Sequence, residues 1–233
     1  GSAIWLMTGD PRAAAYALGQ AEASGAVPWN MWDAANDSWL NAGDYPQLWV
    51  DPRGGTGQPG NPASTGLTQQ WEWTGYNGWT PETAHQPDLA FVPYLLTGER
   101  WMLDRVMAQA SWNTVANWPE GERYNEATGQ YNLVVERVQP RAAAWALREL
   151  ENAAWAAPDG SQEQAYFRAA ADANWKWLVD QIPTWTAMEG EAYGYLPNVI
   201  WGRNGRVSPW EQDYLALSAA EAAARGQEDA MTF

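Results

Sequence analysis

Residues 80–119 read T-P-E-T-A-H-Q-P-D-L-A-F-V-P-Y-L-L-T-G-E-R-W-M-L-D-R-V-M-A-Q-A-S-W-N-T-V-A-N-W-P. The stretch predicts two helices, 86–97 and 99–117, joined at Thr97-Gly98-Glu99. Pro87 suits a first helical position, where its missing N–H costs nothing. Gly98 suits the left-handed residue that ends a helix. Beyond it, Trp101, Arg105, Ala108 and Trp112 recur at spacings of three and four, one face of a helix. Pro119 stops that helix, because proline cannot extend the hydrogen-bond ladder.

The same punctuation recurs along the chain. Thr8-Gly9-Asp10-Pro11 echoes Thr97-Gly98-Glu99-Arg100, and an alanine-rich helix over 11–25 runs toward Pro28. Gln139-Pro140-Arg141 opens as Gln86-Pro87-Asp88 does. A helix over 139–157 follows, then the turn Pro158-Asp159-Gly160-Ser161 and a helix over 161–182, ended by Pro183. Ser208-Pro209-Trp210-Glu211 has the form of a capping box, in which hydroxyl and carboxylate satisfy free N–H groups reciprocally. It opens a helix over 209–225, which Gly226 turns. From turn glycine to stopping proline the intervals are 19, 21 and 23 residues. The pattern predicts an all-α fold of repeated antiparallel helical hairpins, at about 1–28, 85–119, 139–183 and 208–233, in one domain spanning 1–233.

Between hairpins the connections are long, about 29–84, 120–138 and 184–207, and rich in Gly, Pro, Asn, Asp and Trp. Loops of that length in a compact domain are usually functional. Short turns within hairpins and long loops between them predict a plain face, carrying Gly9, Gly98, Gly160 and Gly226, and an opposite face elaborated by loops. On the second face helix N-termini gather, with their free N–H groups and positive dipole ends. Strands are expected to be rare and short.

Composition narrows the partners. The chain has 233 residues, 46% of them hydrophobic, which supports a sizeable core. It has no cysteine, so disulfides and cysteine-bound zinc are excluded. A formal charge of −15, from 28 acidic and 13 basic residues, repels nucleic acid and anionic membranes. No apolar run has a membrane-spanning length. Dinucleotide, kinase, phosphate-loop and nucleophile-elbow patterns are absent, and no cofactor is expected. Asp33, Asn36, Asp37 and Asp44 do not follow the EF-hand spacing.

Repeated helical hairpins with short turns on one side and long Trp-rich loops on the other resemble the (α/α) toroids of six-hairpin glycosidases and related polysaccharide lyases. Segments 84–100 and 141–150 also resemble those of uncharacterised bacterial proteins with this pattern. The resemblance covers nearly the whole chain at the level of architecture. It implies a site where the inner helices begin. The chain departs from the family in holding about three and a half hairpins, not six, about half a toroid. Further protein is then expected at both ends: the rest of its own chain or another subunit.

Two kinds of residue carry the chemistry on the loop face. Eighteen tryptophans make the strongest compositional signal. Aromatic rings stack on the apolar faces of sugars and equally pin loops to a core. Trp71, Trp73, Tyr76, Trp79, Tyr193 and Trp210 are the candidate sugar platforms, with Gln86, Gln139 and Arg141 as polar contacts. Glycoside hydrolysis needs two carboxylates, one protonated and one ionised. The candidate catalytic groups are Glu72, Asp88, Glu191 and Asp213, with His85, the only histidine, as a general acid or base. Asp88 and Glu211 also suit first turns for the helix dipole alone. A lone histidine cannot build a zinc site, and no metal is expected. Two readings follow: a glycoside hydrolase or polysaccharide lyase acting on a glycan at the loop face, or a non-catalytic glycan-binding or assembly protein on the same scaffold. The first implies an extracellular or periplasmic setting.

Overall fold

The computed structural model describes residues 1–27, 29, 31–46, 48–50, 81–117, 123–135, 138–190 and 208–233. Helices make up 64% of the described residues, so the chain is mostly helical. Two two-stranded ribbons are the only sheet among them. None of the described helices is long and apolar enough to cross a membrane.

Helices α1 (Ser2–Thr8) and α2 (Pro11–Ala23) meet at Gly9, whose φ of 66° is the left-handed conformation the turn requires. Asp10 caps α2, accepting from Arg12 N at 2.8 Å, with Pro11 in the first turn. Helices α3 (Phe91–Thr97) and α4 (Arg100–Ala116) meet at Gly98, φ 71°. From Val106 to Ala116 every residue of α4 is buried, as expected of a helix with neighbours on all sides. Helices α5 (Pro140–Ala156) and α6 (Gln162–Glu189) meet at Gly160. Helix α7 (Pro209–Ala224) is followed across Gly226 by the short α8 (Glu228–Thr232).

Helix α5 is the hub, packed on α4, α6 and α7. Its inner face is mostly alanine, including Ala142, Ala143, Ala146, Ala153 and Ala154, all buried. Small side chains let neighbouring helices approach closely. Glu151 of α5 is buried and reaches α6 twice, accepting from Trp175 Nε1 at 3.0 Å and pairing with Arg168 at 3.1 Å. Helix α7 lies parallel to α5: contacts run in the same order on both, Arg141 near Glu211, Ser218 Oγ donating to Ala144 O, Arg225 donating to Asn152.

Several expectations change in the structure. The helix expected over 86–97 begins at Phe91, and residues 81–90 form a non-helical strap with a turn at Thr83-Ala84. The strap's carbonyls are taken by other elements: Gln86 O accepts from Arg148 Nη2 at 2.7 Å, and Pro87 O from Gln109 Nε2 at 3.3 Å. Asp88 caps the helix start instead of sitting inside it, accepting from Phe91 N at 3.1 Å. Pro183 does not end α6, which runs on to Glu189. Beyond the proline Trp185 is buried and packs edge-on to Trp177, centroids 6.1 Å apart, a contact that offsets the missing N–H. The capping box at Ser208 is not made: neither side chain caps, and Glu211 turns inward, 6% exposed, toward Arg141. The chain after Gly226 does form a second helix, though only the five residues of α8.

The described parts of the first two connections do not stand on a rim. Trp29, Met31, Trp39, Leu40 and Leu48 of the first, and Leu133, Val134 and Val135 of the second, are buried. Apolar loop residues of this kind pack down the flanks of the helices because burial removes their surface from water. Arg123, fully buried, ties the two connections to α4 by donating to Pro46 O and Thr114 O. Tyr166, at the start of α6 near the Gly160 turn, receives Ala42 N at 3.2 Å. Among the described residues, the first connection thus reaches the helix α6 start next to the Gly160 turn.

A repeat of another kind emerges. Strands β1 (Trp32–Asp33) and β2 (Ser38–Trp39) pair antiparallel, as do β3 (Tyr124–Asn125) and β4 (Gln130–Tyr131). Both hairpins use the same device. Asp33 Oδ1 accepts from Ala35 N, Asn125 Oδ1 from Ala127 N, and aromatic rings pair across the strands at 5.3 and 5.1 Å. Asp37 and Gly129 supply the positive φ at the same position of each turn.

Candidate functional site

Two stripes of side chains face each other across parallel helices. On α5, Arg141, Trp145, Arg148 and Asn152 are spaced by four, three and four, which places them on one face. On α7, Trp210, Tyr214, Leu217 and Glu221, with Arg225 just past the helix end, have the same periodicity. The strap 85–91 forms a third wall. Between them lies a half-open pocket of about 270 Å³, lined by Asp88, Phe91, Trp145, Arg148, Asn152, Tyr214, Leu217, Glu221 and Arg225, among others.

Its floor is a chain of polar contacts. Arg148 gives Nε and Nη2 to one oxygen of Glu149 at 3.0 and 2.5 Å, and the same Nη2 to Gln86 O. Asn152 Nδ2 lies 3.4 Å from Asp88 Oδ2 and takes Arg225 Nη1 on its own oxygen at 2.8 Å. The Arg225 guanidinium lies over Phe91 at 5.2 Å and Trp155 at 5.7 Å, so rings hold it in place. Burial pushes the Asp88 carboxyl above the usual aspartate range, against the pull of Arg148 and Arg225. Burial raises Glu149 further, to about 8, although Arg148 opposes it. Burial works against the charge of Arg148, but Glu149 and Asp88 outweigh it and hold its pKa above the ordinary arginine value.

An aromatic row leads from the pocket toward the helix starts. His85 and Trp145 lie 6.3 Å apart, Trp145 and Tyr214 5.6 Å, Tyr214 and Trp210 5.9 Å. At its end Arg141 lies over Trp210 at 5.3 Å and donates Nε to Gln139 at 2.8 Å. Glu211 Oε1 lies 4.0 Å from Arg141 Nε, and its buried Oε2 has no hydrogen-bond partner.

The expected site residues thus divide. Gln139, Arg141 and Trp210 gather at the starts of α5 and α7. Asp88 lies beside Asn152, eleven residues further along α5, and beside Arg225 next to the Gly226 turn. His85 is exposed on the strap, its Nδ1 against the Glu82 carboxylate. Gln86 is buried, holding Thr83 O through Nε2, with Oε1 unpartnered. Asp213 is exposed on α7. Glu72, Glu191, Trp71, Trp73, Tyr76, Trp79 and Tyr193 lie outside the described residues.

Arg148, Asn152, Tyr214, Glu221 and Arg225 were not among the expected site residues. Their signal was present: polar residues at helical spacing on an alanine-rich helix, matched by an aromatic and polar stripe on the next. Among the described residues no group of three or more His, Asp or Glu side chains converges as a metal site would. No family model matches the chain, and comparison with curated proteins and with solved structures likewise gives no match.

Proposed function

We propose that the groove between α5 and α7 binds carbohydrate, and that the chain is a glycan-processing protein built on part of an (α/α) toroid. One observation carries this reading: the half-buried ring of Trp145 and the exposed ring of Tyr214 line one pocket with a floor of fixed hydrogen-bonding groups, Asp88, Asn152, Arg148 and Arg225. Rings meet the apolar face of a pyranose, and the floor meets its hydroxyls. Parallel packing of α5 and α7, with α6 returning beside α5, supports the toroid.

Within this reading Asp88 is the general acid, since burial favours its protonated form. Glu221, exposed and lining the same pocket, is the second carboxylate that hydrolysis also requires. Asp88 would hand its proton to the glycosidic oxygen as the bond to the anomeric carbon breaks, while a water that gives its proton to Glu221 forms the new bond to that carbon. Helix α1 favours a second role, in assembly. None of its residues is buried, and Ile4, Leu6 and Met7 are exposed, an apolar surface suited to further protein.

A panel of neutral and uronate oligosaccharides, titrated while tryptophan fluorescence is followed, tests the proposal. A binder is expected in the panel. Asn152→Ala should weaken it about tenfold or more, the loss expected when hydrogen bonds to a polar ligand go unmade. Asp88→Asn should keep binding but abolish release of new reducing ends. A silent panel would sink the carbohydrate reading. Binding with turnover unchanged in Asp88→Asn would remove Asp88 from the chemistry.

A further inference from the structure

The pocket accounts for only one end of the exposed aromatic row. From Asn152 to Arg141 the α5 stripe spans eleven residues, a rise of about 16 Å, roughly the length of three to four linked pyranose rings. Rings line the part of it nearer the helix starts, from Trp145 through Tyr214 to Trp210, with centroid gaps of 5.6 and 5.9 Å. Trp210 is 49% exposed and Tyr214 41%, so both keep ring surface for a ligand, although Arg141 covers one face of Trp210.

The far end of the row has polar groups of its own. Glu211 is buried, yet one carboxylate oxygen has no partner and the other stops 4.0 Å short of Arg141 Nε. Arg141 gives Nε to Gln139 and rests on Trp210 instead of closing on the carboxylate. A carboxylate and a guanidinium held close but unjoined suit a group that both donates and accepts. A sugar hydroxyl does both. Closure of the groove's end on such a hydroxyl would satisfy the acceptor that the free protein leaves unmet.

We infer that the groove is an extended cleft with a second, distal sugar subsite at Trp210, Arg141 and Glu211, so that its ligand is an oligosaccharide of at least three residues. This rests on the carbohydrate reading of the pocket. The pocket at Asp88 and Asn152 holds one end of the chain, and the distal subsite holds the other.

Length series separate the two ideas. Cello-oligosaccharides and oligogalacturonates of one to six residues are titrated against the wild type, Trp210→Ala and Glu211→Gln, with thermal melts to check folding. Affinity is expected to rise at least tenfold from one residue to four and then level off. Both variants should bind the monosaccharide as the wild type does and lose about tenfold on the tetramer. Trp210 is exposed, so that variant reports on binding even where Glu211→Gln weakens the fold. Affinity that does not change with length overturns the distal subsite and leaves the pocket reading standing. So does an equal loss on monosaccharide and tetramer. Silence from every saccharide overturns both.

Discussion

Replacing Trp175 with alanine should cost about 3–5 kcal/mol, the range for deleting a large aromatic side chain from a packed core. The indole is completely buried, lies near Phe233 and donates Nε1 to Glu151 at 3.0 Å. Its loss opens a cavity between α5 and α6. It also leaves the buried Glu151 carboxylate with Arg168 alone, and an under-satisfied buried acceptor adds roughly 1–3 kcal/mol. Domains of ordinary stability have about 5–15 kcal/mol in total, so this one change should consume much of it. Trp175→Phe keeps most of the volume and loses only the hydrogen bond, and should fall between. Denaturant unfolding of the three proteins gives the order. A Trp175→Ala protein within about 1 kcal/mol of wild type would mean that α6 does not pack on α5 through this residue.

The second large effect is on pH dependence. Glu149 is buried against Arg148, with a folded pKa of about 8 against an ordinary value of 4.5. Between those values the folded chain holds a proton that the unfolded chain has released. Stability therefore falls as pH rises through this window and levels off above it. The sign is opposite to that of an acid whose pKa is lowered by pairing. Asp88, also raised by burial, adds to the slope. Asp33 pulls the other way: burial raises it, but hydrogen bonds from Tyr45 and Asn36 outweigh that and lower it. Glu149→Gln keeps an oxygen for Arg148 and removes the ionisation. At pH 5 it should match the wild type. At pH 9 it should be the more stable protein by a few kcal/mol, the order expected from a shift of this size. Thermal or urea unfolding across pH 5–9 measures both curves. A wild-type curve that rises through this range, or a variant less stable at pH 9, would contradict the account.

Local chemistry was legible in the sequence and long-range competition was not. Gly9, Gly98 and Gly160 mark turns because only a residue at ease with positive φ fits there, and nothing distant alters that. The start of α3 was decided elsewhere. Arg148 and Gln109, 62 and 22 residues from their targets, hold the carbonyls of Gln86 and Pro87, so the helix begins at Phe91. Pro183 reads as a stop until Trp185 is seen to pack on Trp177. Glu211 reads as a cap until Arg141 is placed beside it. The site follows the same rule. Arg141 and Trp210 were legible because they begin helices that lie side by side. Asp88 was legible as a residue of interest, but not its place at the other end of the groove, which the non-helical strap dictates. The paired hairpins were hidden because W-D-A-A-N-D-S-W and Y-N-E-A-T-G-Q-Y share ring, Asx and turn positions rather than identities.

Everything proposed for this protein depends on the α5–α7 groove holding a glycan. A crystal structure of the protein soaked with the tightest-binding oligosaccharide of the panel tests it most directly. A sugar ring is expected against Trp145 and Tyr214, with hydroxyls on Asn152 and Arg225 and the chain running toward Trp210. An oligosaccharide bound elsewhere, or a groove filled by polypeptide, would contradict it.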